Sequence, residues 1–171
     1  MASRDFDAER LLATLHDAGV EFVLIGVMAA IMHGDVGVTL DVDIVPDPST
    51  RNLDALADAL RTFDARIRTE GEPDGLPFDV SAKFLANLTP EVILNLTSNA
   101  GDLDLTFRPS GTAGYGDLKR DAIEIAIDDR EAVRIWVSSL ADIIRSKEAA
   151  GREKDRNALP RLRRLLERTS R

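Results

Sequence analysis

Phe22-Val23-Leu24-Ile25-Gly26, followed by a short run to His33-Gly34-Asp35 and then by Thr39-Leu40-Asp41-Val42-Asp43-Ile44, is the stretch on which the reading of this chain turns. Val20 to Ile25 is apolar throughout except for Glu21 and reads as a buried strand. Helical composition takes over at Gly26 and lasts to His33, about two turns, with Gly34 as the stop. Residues 38–45 read as a second strand, closed by Pro46 and Pro48. Alternate side chains of a strand leave opposite faces. Asp41 and Asp43 are therefore predicted to share one face, with Leu40, Val42 and Ile44 turned to the core.

Two aspartates held side by side repel each other, and an oxygen-ligated divalent cation relieves that cost. Taken alone, an Asp-x-Asp pair is common on the wet face of an edge strand. Its setting here is more specific. A strand, a glycine turn opening a helix and a second strand with two carboxylates would place backbone N–H groups near a triphosphate whose metal ions the carboxylates hold.

Outward from this stretch the chain alternates helices and strands without a strict parallel repeat. Asp7 to Ala18 reads as a helix with Leu11, Leu12 and Leu15 on one stripe, ended by Gly19. Ser49 or Thr50 caps a helix carrying Leu53, Leu56, Ala57 and Leu60. Glu70 to Pro77, rich in Gly, Pro and acid, reads as a surface loop. Residues 92–97 and 102–107 read as a hairpin around Ser98-Asn99-Ala100-Gly101, and residues 124–127 and 133–137 as two more strands around Asp128 and Asp129. Ser139 with Asp142 opens a helix to Ala150 that Gly151 ends. A last basic helix, about Lys154 to Thr169, is expected to kink or break near Pro160. The order predicts an α+β sheet with helices packed against it.

With 171 residues, 44% of them hydrophobic, the chain is expected to form a single domain with a real core. It has no cysteine, which excludes disulfides, zinc–thiolate sites and thiol nucleophiles and points to hard cations. Met1 to Arg10 is charged, and no stretch approaches the roughly 20 apolar residues of a membrane span. A cytoplasmic protein without membrane contact is the expectation. The net charge of −8 argues against indiscriminate binding to phosphate backbones. That average hides an asymmetry: residues 1–144 carry 12 basic and 26 acidic side chains, and residues 145–171 carry 10 and 4. The body is thus −14 and the tail +6, so a polyanion is expected to meet the C-terminal end first.

The run from Phe22 to Ile44 resembles the signature of the nucleotidyltransferase superfamily, in which a Gly-Gly or Gly-Ser turn precedes an Asp-x-Asp strand. More narrowly, it is similar to bacterial minimal nucleotidyltransferases that include toxins of type IV abortive-infection toxin–antitoxin systems. Gly101-Asp102-Leu103-Asp104-Leu105 resembles the strand that supplies the family's third carboxylate. Residues 137–142 with Lys147, Gly151, Lys154 and Asp155 resemble its closing helix. The resemblance covers roughly residues 15 to 165.

What the resemblance implies is a DNA polymerase beta-like nucleotidyltransferase fold, a mixed central sheet flanked by helices, over residues 1–171 with a basic helical segment at 139–171. It implies transfer of an NMP from a nucleoside triphosphate, ATP or CTP among them, to an acceptor hydroxyl on the 3′ end of tRNA or on a protein, with Mg²⁺ or Mn²⁺. An antitoxin protein is the implied partner. Asp41 and Asp43 would bind the metals, and Asp104 would complete the site and activate the acceptor; Asp102, on the same strand face, stays open as the third carboxylate. Gly26 and Val27 would form the nucleotide turn. Lys147 is the candidate for a triphosphate contact, ahead of Arg145, Arg152 and Lys154. Val27 departs from the family's Gly or Ser: if that position needs close approach or φ above zero, nucleotide binding is weakened and a non-catalytic binding protein becomes the alternative. His33 is assigned to a helix end, Trp136 to sheet packing, and His16 to no function. A haloacid-dehalogenase-type phosphatase also uses Asp-x-Asp, but Ile44 and Val45 continue the strand where that chemistry needs a glycine-rich turn.

Overall fold

The computed structural model describes residues 5–129 and 131–171. The start of the charged N-terminal stretch, residues 1–4, lies outside them, as does residue 130 in the Asp128–Asp129 turn. Within the described residues the elements are α1 (Ala8–Asp17), β1 (Phe22–Ile25), α2 (Gly26–Met32), β2 (Asp41–Pro46), α3 (Thr50–Thr62), β3 (Arg66–Thr69) and β4 (Glu72–Leu76). There follow α4 (Ala82–Ala86), β5 (Leu94–Ser98), β6 (Gly101–Leu105), α5 (Tyr115–Asp121), β7 (Ile123–Ala126), β8 (Arg134–Val137), α6 (Leu140–Ala150) and α7 (Glu153–Thr169).

The strands form one eight-stranded sheet in the order β4-β3-β5-β6-β2-β1-β8-β7. It is mixed: β2 runs antiparallel to β1 but parallel to β6, and β1 runs parallel to β8. This is an α+β architecture with helices on the sheet. Alternation sorts the two faces. Phe22 and Leu24 of β1 and Val42 and Ile44 of β2 join the main core with Leu11, Leu15, Leu56 and Leu60. Val23 and Val45 form a smaller cluster with Leu118 of α5 on the other face. The C-terminal helices are integral to this packing, since Ile143 and Ile144 of α6 and Leu159, Leu162 and Leu165 of α7 belong to the main core.

Local signals set the element ends. The Asp7 side chain accepts from Arg10 N at the start of α1, and the Ser139 side chain accepts from Asp142 N at the start of α6. Gly151 ends α6 in the left-handed conformation, φ 62°.

Three expectations are corrected. Residues 38–40 are not strand, and Leu40 faces solvent at 73% exposure, because β2 starts only where Asp41 finds Asp102 as its partner on β6. Glu70 to Pro77 is not a loop: Glu72–Leu76 pairs with β3 as the sheet's edge hairpin, where proline and glycine are tolerated. Of the kink or break expected at Pro160, the break does not occur: the residue lies inside a continuous Glu153–Thr169. The N–H that proline lacks is missed on an exposed face, where water can satisfy the Arg156 carbonyl.

Candidate active site

Asp43 stands at the junction of β1, β2 and β6. Its register partners are Ile25 on one side and Asp104 on the other, and Asp41 is paired with Asp102. Partners across neighbouring strands share a face, so four carboxylates leave the sheet together. The alternate positions Val42, Ile44, Leu103 and Leu105 are buried on the opposite face.

The turn from β1 into α2 passes directly over the Asp43 carboxylate. Gly26 has φ +73°, and a Cβ there would stand 2.5 Å from Asp43 Oδ2. Glycine is needed twice over, for the backbone conformation and for the close approach. Val27 does not share that conformation: the positive-φ residues other than glycine among those described are Asp64 and Glu131, and Val27 is the second residue of α2, packed toward Gly37. The positive-φ condition under which Val27 would disable the turn is therefore not met. It still offers no hydroxyl.

Burial, followed by the charges of Asp41 and Asp104, pushes the Asp43 carboxyl from 3.8 up to about 7, against a weaker pull from Lys154 and Lys147. Asp41 accepts a hydrogen bond from the Thr39 hydroxyl. Neither Asp41 nor Asp43 has an ion-pair partner among the described residues. Two adjacent carboxylates, one of them destabilised as an anion, with oxygen donors only, fit a hard divalent cation.

Asp104 is in a different condition. Arg68 of β3 donates to its two oxygens at 2.9 and 3.0 Å and lies 2.8 Å from Asp102 Oδ2. Burial still raises the Asp104 carboxyl, with Arg68 opposing. Among the described residues no three acidic or histidine side chains are gathered as a metal nest. In this arrangement the fit is to Asp41 and Asp43, and the third carboxylate is neutralised by a guanidinium. Of the two candidates for that third position, Asp104 lines the cleft and Asp102 does not.

The cleft has a volume of about 740 Å³, and Gly26, Val27, Asp41, Asp43, Asp104 and Lys147 all border it. Lys147 is not a free cation: its Nζ lies 3.2 Å from Oδ1 of Asp155, whose side chain is fully buried. Arg152 holds the other Asp155 oxygen at 2.6 Å. Arg145 is likewise engaged, by Asp117 at 2.8 Å and Asp142 at 2.9 Å. Lys154 also borders the cleft and has no ion pair among the described residues, which makes it the uncommitted cation facing Asp43.

His33 caps α2, and its Nε2 lies 2.8 Å from the Ser138 carbonyl, tying α2 to the end of β8. Trp136 carries Lys119 Nζ 3.6 Å over its ring. His16 lies 3.2 Å from Asp17 and does not border the cleft. The residue that sequence reasoning missed is Arg68. The alternation Arg66-Ile67-Arg68-Thr69 before Gly71 was the available strand signal, obscured by the polar composition around it.

No family model matches the sequence, and a search of curated proteins gives no match. Among solved structures, the fold is similar to that of a protein from Thermotoga maritima described as a "putative nucleotidyltransferase", with a TM-score of 0.56 and 13% identity over 90% of this chain and 88% of that one. The chain shares that protein's fold. Among the described residues no helix is long and apolar enough to cross a membrane.

Proposed function

We propose that the protein is a metal-dependent nucleotidyltransferase that moves an NMP from a nucleoside triphosphate to an acceptor hydroxyl. The observation that carries this reading is Asp43, pressed against Gly26 and raised to about 7 between Asp41 and Asp104. A protein keeps a carboxylate in so unfavourable a place when a cation or ligand charge offsets it. The shared fold with a protein described as a nucleotidyltransferase agrees with the assignment.

In this mechanism Asp41 and Asp43 would hold Mg²⁺ or Mn²⁺. When bound, such ions lower the pKa of an attacking hydroxyl and neutralise the leaving pyrophosphate. Gly26 leaves room for the triphosphate beside Asp43, and Lys154 faces it as a point charge, with Lys147 beside it held by Asp155. Asp104 accepts the acceptor's proton once Arg68 gives it up. The resemblance to type IV abortive-infection toxins extends the proposal to a cytoplasmic toxin neutralised by an antitoxin protein.

A second reading, a nucleotide-binding protein that does not transfer, is favoured by one observation: Arg68 occupies both candidates for the third carboxylate. Incubation with Mg²⁺ or Mn²⁺, each α-labelled NTP in turn, and total tRNA or protein extract separates the two. Label on an acceptor that Asp43→Ala loses supports transfer. Nucleotide-dependent thermal stabilisation with no label on any acceptor supports the second reading.

A further inference from the structure

α7 sorts its cations by face. Its buried side is Asp155, Leu159, Leu162 and Leu165. At about 100° per residue, Lys154, Arg161, Arg164 and Arg168 fall within an arc of about 80° on another side. Glu153 and Glu167 lie outside that arc. The arginines on the remaining flank are committed: Arg152 to Asp155, Arg163 to Glu148, and Arg156 to the Gly151 carbonyl. Within the arc, Arg161 is fixed by both oxygens of Asp35, which orients it, whereas Lys154, Arg164 and Arg168 have no ion pair among the described residues.

The stripe is continuous with the cleft, since Lys154 and Arg161 border it together with Asp41 and Asp43. From Lys154 to Arg168 it runs about 21 Å at 1.5 Å per residue. We propose that this face of α7 is a track on which the phosphates of a single nucleic-acid strand lie as its end enters the cleft. The proposal rests on the transferase reading of that cleft.

Charge and shape select this partner over other polyanions. Outside residues 145–171 the chain carries 12 basic and 26 acidic side chains, so a flat anionic membrane would meet a repelling body. A strand narrow enough to follow one helix avoids it. Arginine's planar fork suits phosphate oxygens, and three uncommitted cations strung along one helix face, about 15 and 6 Å apart, suit phosphates distributed along one backbone better than a compact acidic protein.

The test is fluorescence anisotropy of the full chain with labelled RNA and DNA oligonucleotides, without nucleotide or divalent cation, between 50 and 200 mM salt. With three phosphates neutralised, log K is expected to fall against log salt with a slope of about −2. The R164Q/R168Q double variant, altered only at exposed positions, should keep the wild-type melting temperature, bind about tenfold more weakly and lose roughly 1.4 of that slope. R163Q, on the committed flank, should bind as wild type. Unchanged affinity in R164Q/R168Q overturns the proposal, as does binding to anionic vesicles or polyglutamate in place of oligonucleotides, or no binding at 50 mM salt. Transfer to a protein or small molecule without oligonucleotide binding overturns the track and leaves the transferase standing. Stripe-dependent oligonucleotide binding with no transfer does the reverse.

Discussion

Asp43→Asn should make the protein more stable while removing one of the two carboxylates proposed to hold a divalent cation. The folded chain raises this carboxyl from 3.8 to about 7. Since the folded pKa exceeds the unfolded one, the unfolded state releases the proton first, and stability falls as pH rises from about 4 through 7. At about 1.4 kcal/mol per pH unit, the full penalty for ionising Asp43 above pH 7 comes to about 4 kcal/mol, an upper bound because water and counter-ions relax part of it. Asparagine keeps the shape and drops the charge. In the absence of divalent cations it should raise stability at pH 8 by about 2–4 kcal/mol, which for a chain of this size is a gain of about 5–10 °C in melting temperature. At pH 5.5, where wild-type Asp43 is largely protonated, the gain should shrink by about 2 kcal/mol. Urea unfolding of both proteins with EDTA at the two pH values measures this. Added Mg²⁺ should close the gap at pH 8 by stabilising only the wild type. A variant that is less stable than wild type at pH 8, or a gain that does not change with pH, would refute the account of Asp43 as an anion strained by burial and by its neighbours.

Gly26→Ala must adopt φ +73° and place a Cβ 2.5 Å from Asp43 Oδ2, so a loss of about 1–3 kcal/mol in urea unfolding is expected, together with loss of Mn²⁺ binding by EPR titration. Arg68→Gln frees Asp104 from its guanidinium; stability should fall by about 1–2 kcal/mol, discounted because Arg68 is partly exposed, while Mn²⁺ binds more tightly. Weaker Mn²⁺ binding would instead make Arg68 an organiser of the site. Asp155→Asn leaves Lys147 and Arg152 without their carboxylate, at a cost of about 1–3 kcal/mol near pH 7. Although burial opposes ionisation of Asp155, hydrogen bonds from Arg152 and Lys147 hold its pKa below 3.8, so its contribution is present above about pH 4 and is lost as pH falls further. Unfolding measured at pH 7 and pH 3 should show a smaller deficit for the variant at the latter.

Local rules carried much of the fold because local rules made it. The period-two alternation around Asp43, the leucine stripe of α1 and the Ser139 cap of α6 are all settled within a few residues of sequence. Where pairing with a distant strand decided the outcome, local reading went astray. Residues 38–40 have strand composition but no partner, and Glu72–Leu76 has loop composition but pairs with β3 at the sheet edge. Missing that hairpin also hid Arg68, whose significance lies in where β3 sits across β5 from β6.

The sequence by itself determined that Asp41 and Asp43 share a strand face, that glycine stands at the turn before them, and that basic charge gathers at the C-terminal end. These follow from spacing and composition. Tertiary structure decided that β6 runs parallel beside β2, setting Asp104 against Asp43, and that Lys147 and Arg145 are bound to carboxylates while Lys154 is left to the cleft. Strand order and ion-pair partners depend on which remote surfaces bury each other, and the choice between a free and a committed charge is made only when the chain closes on itself.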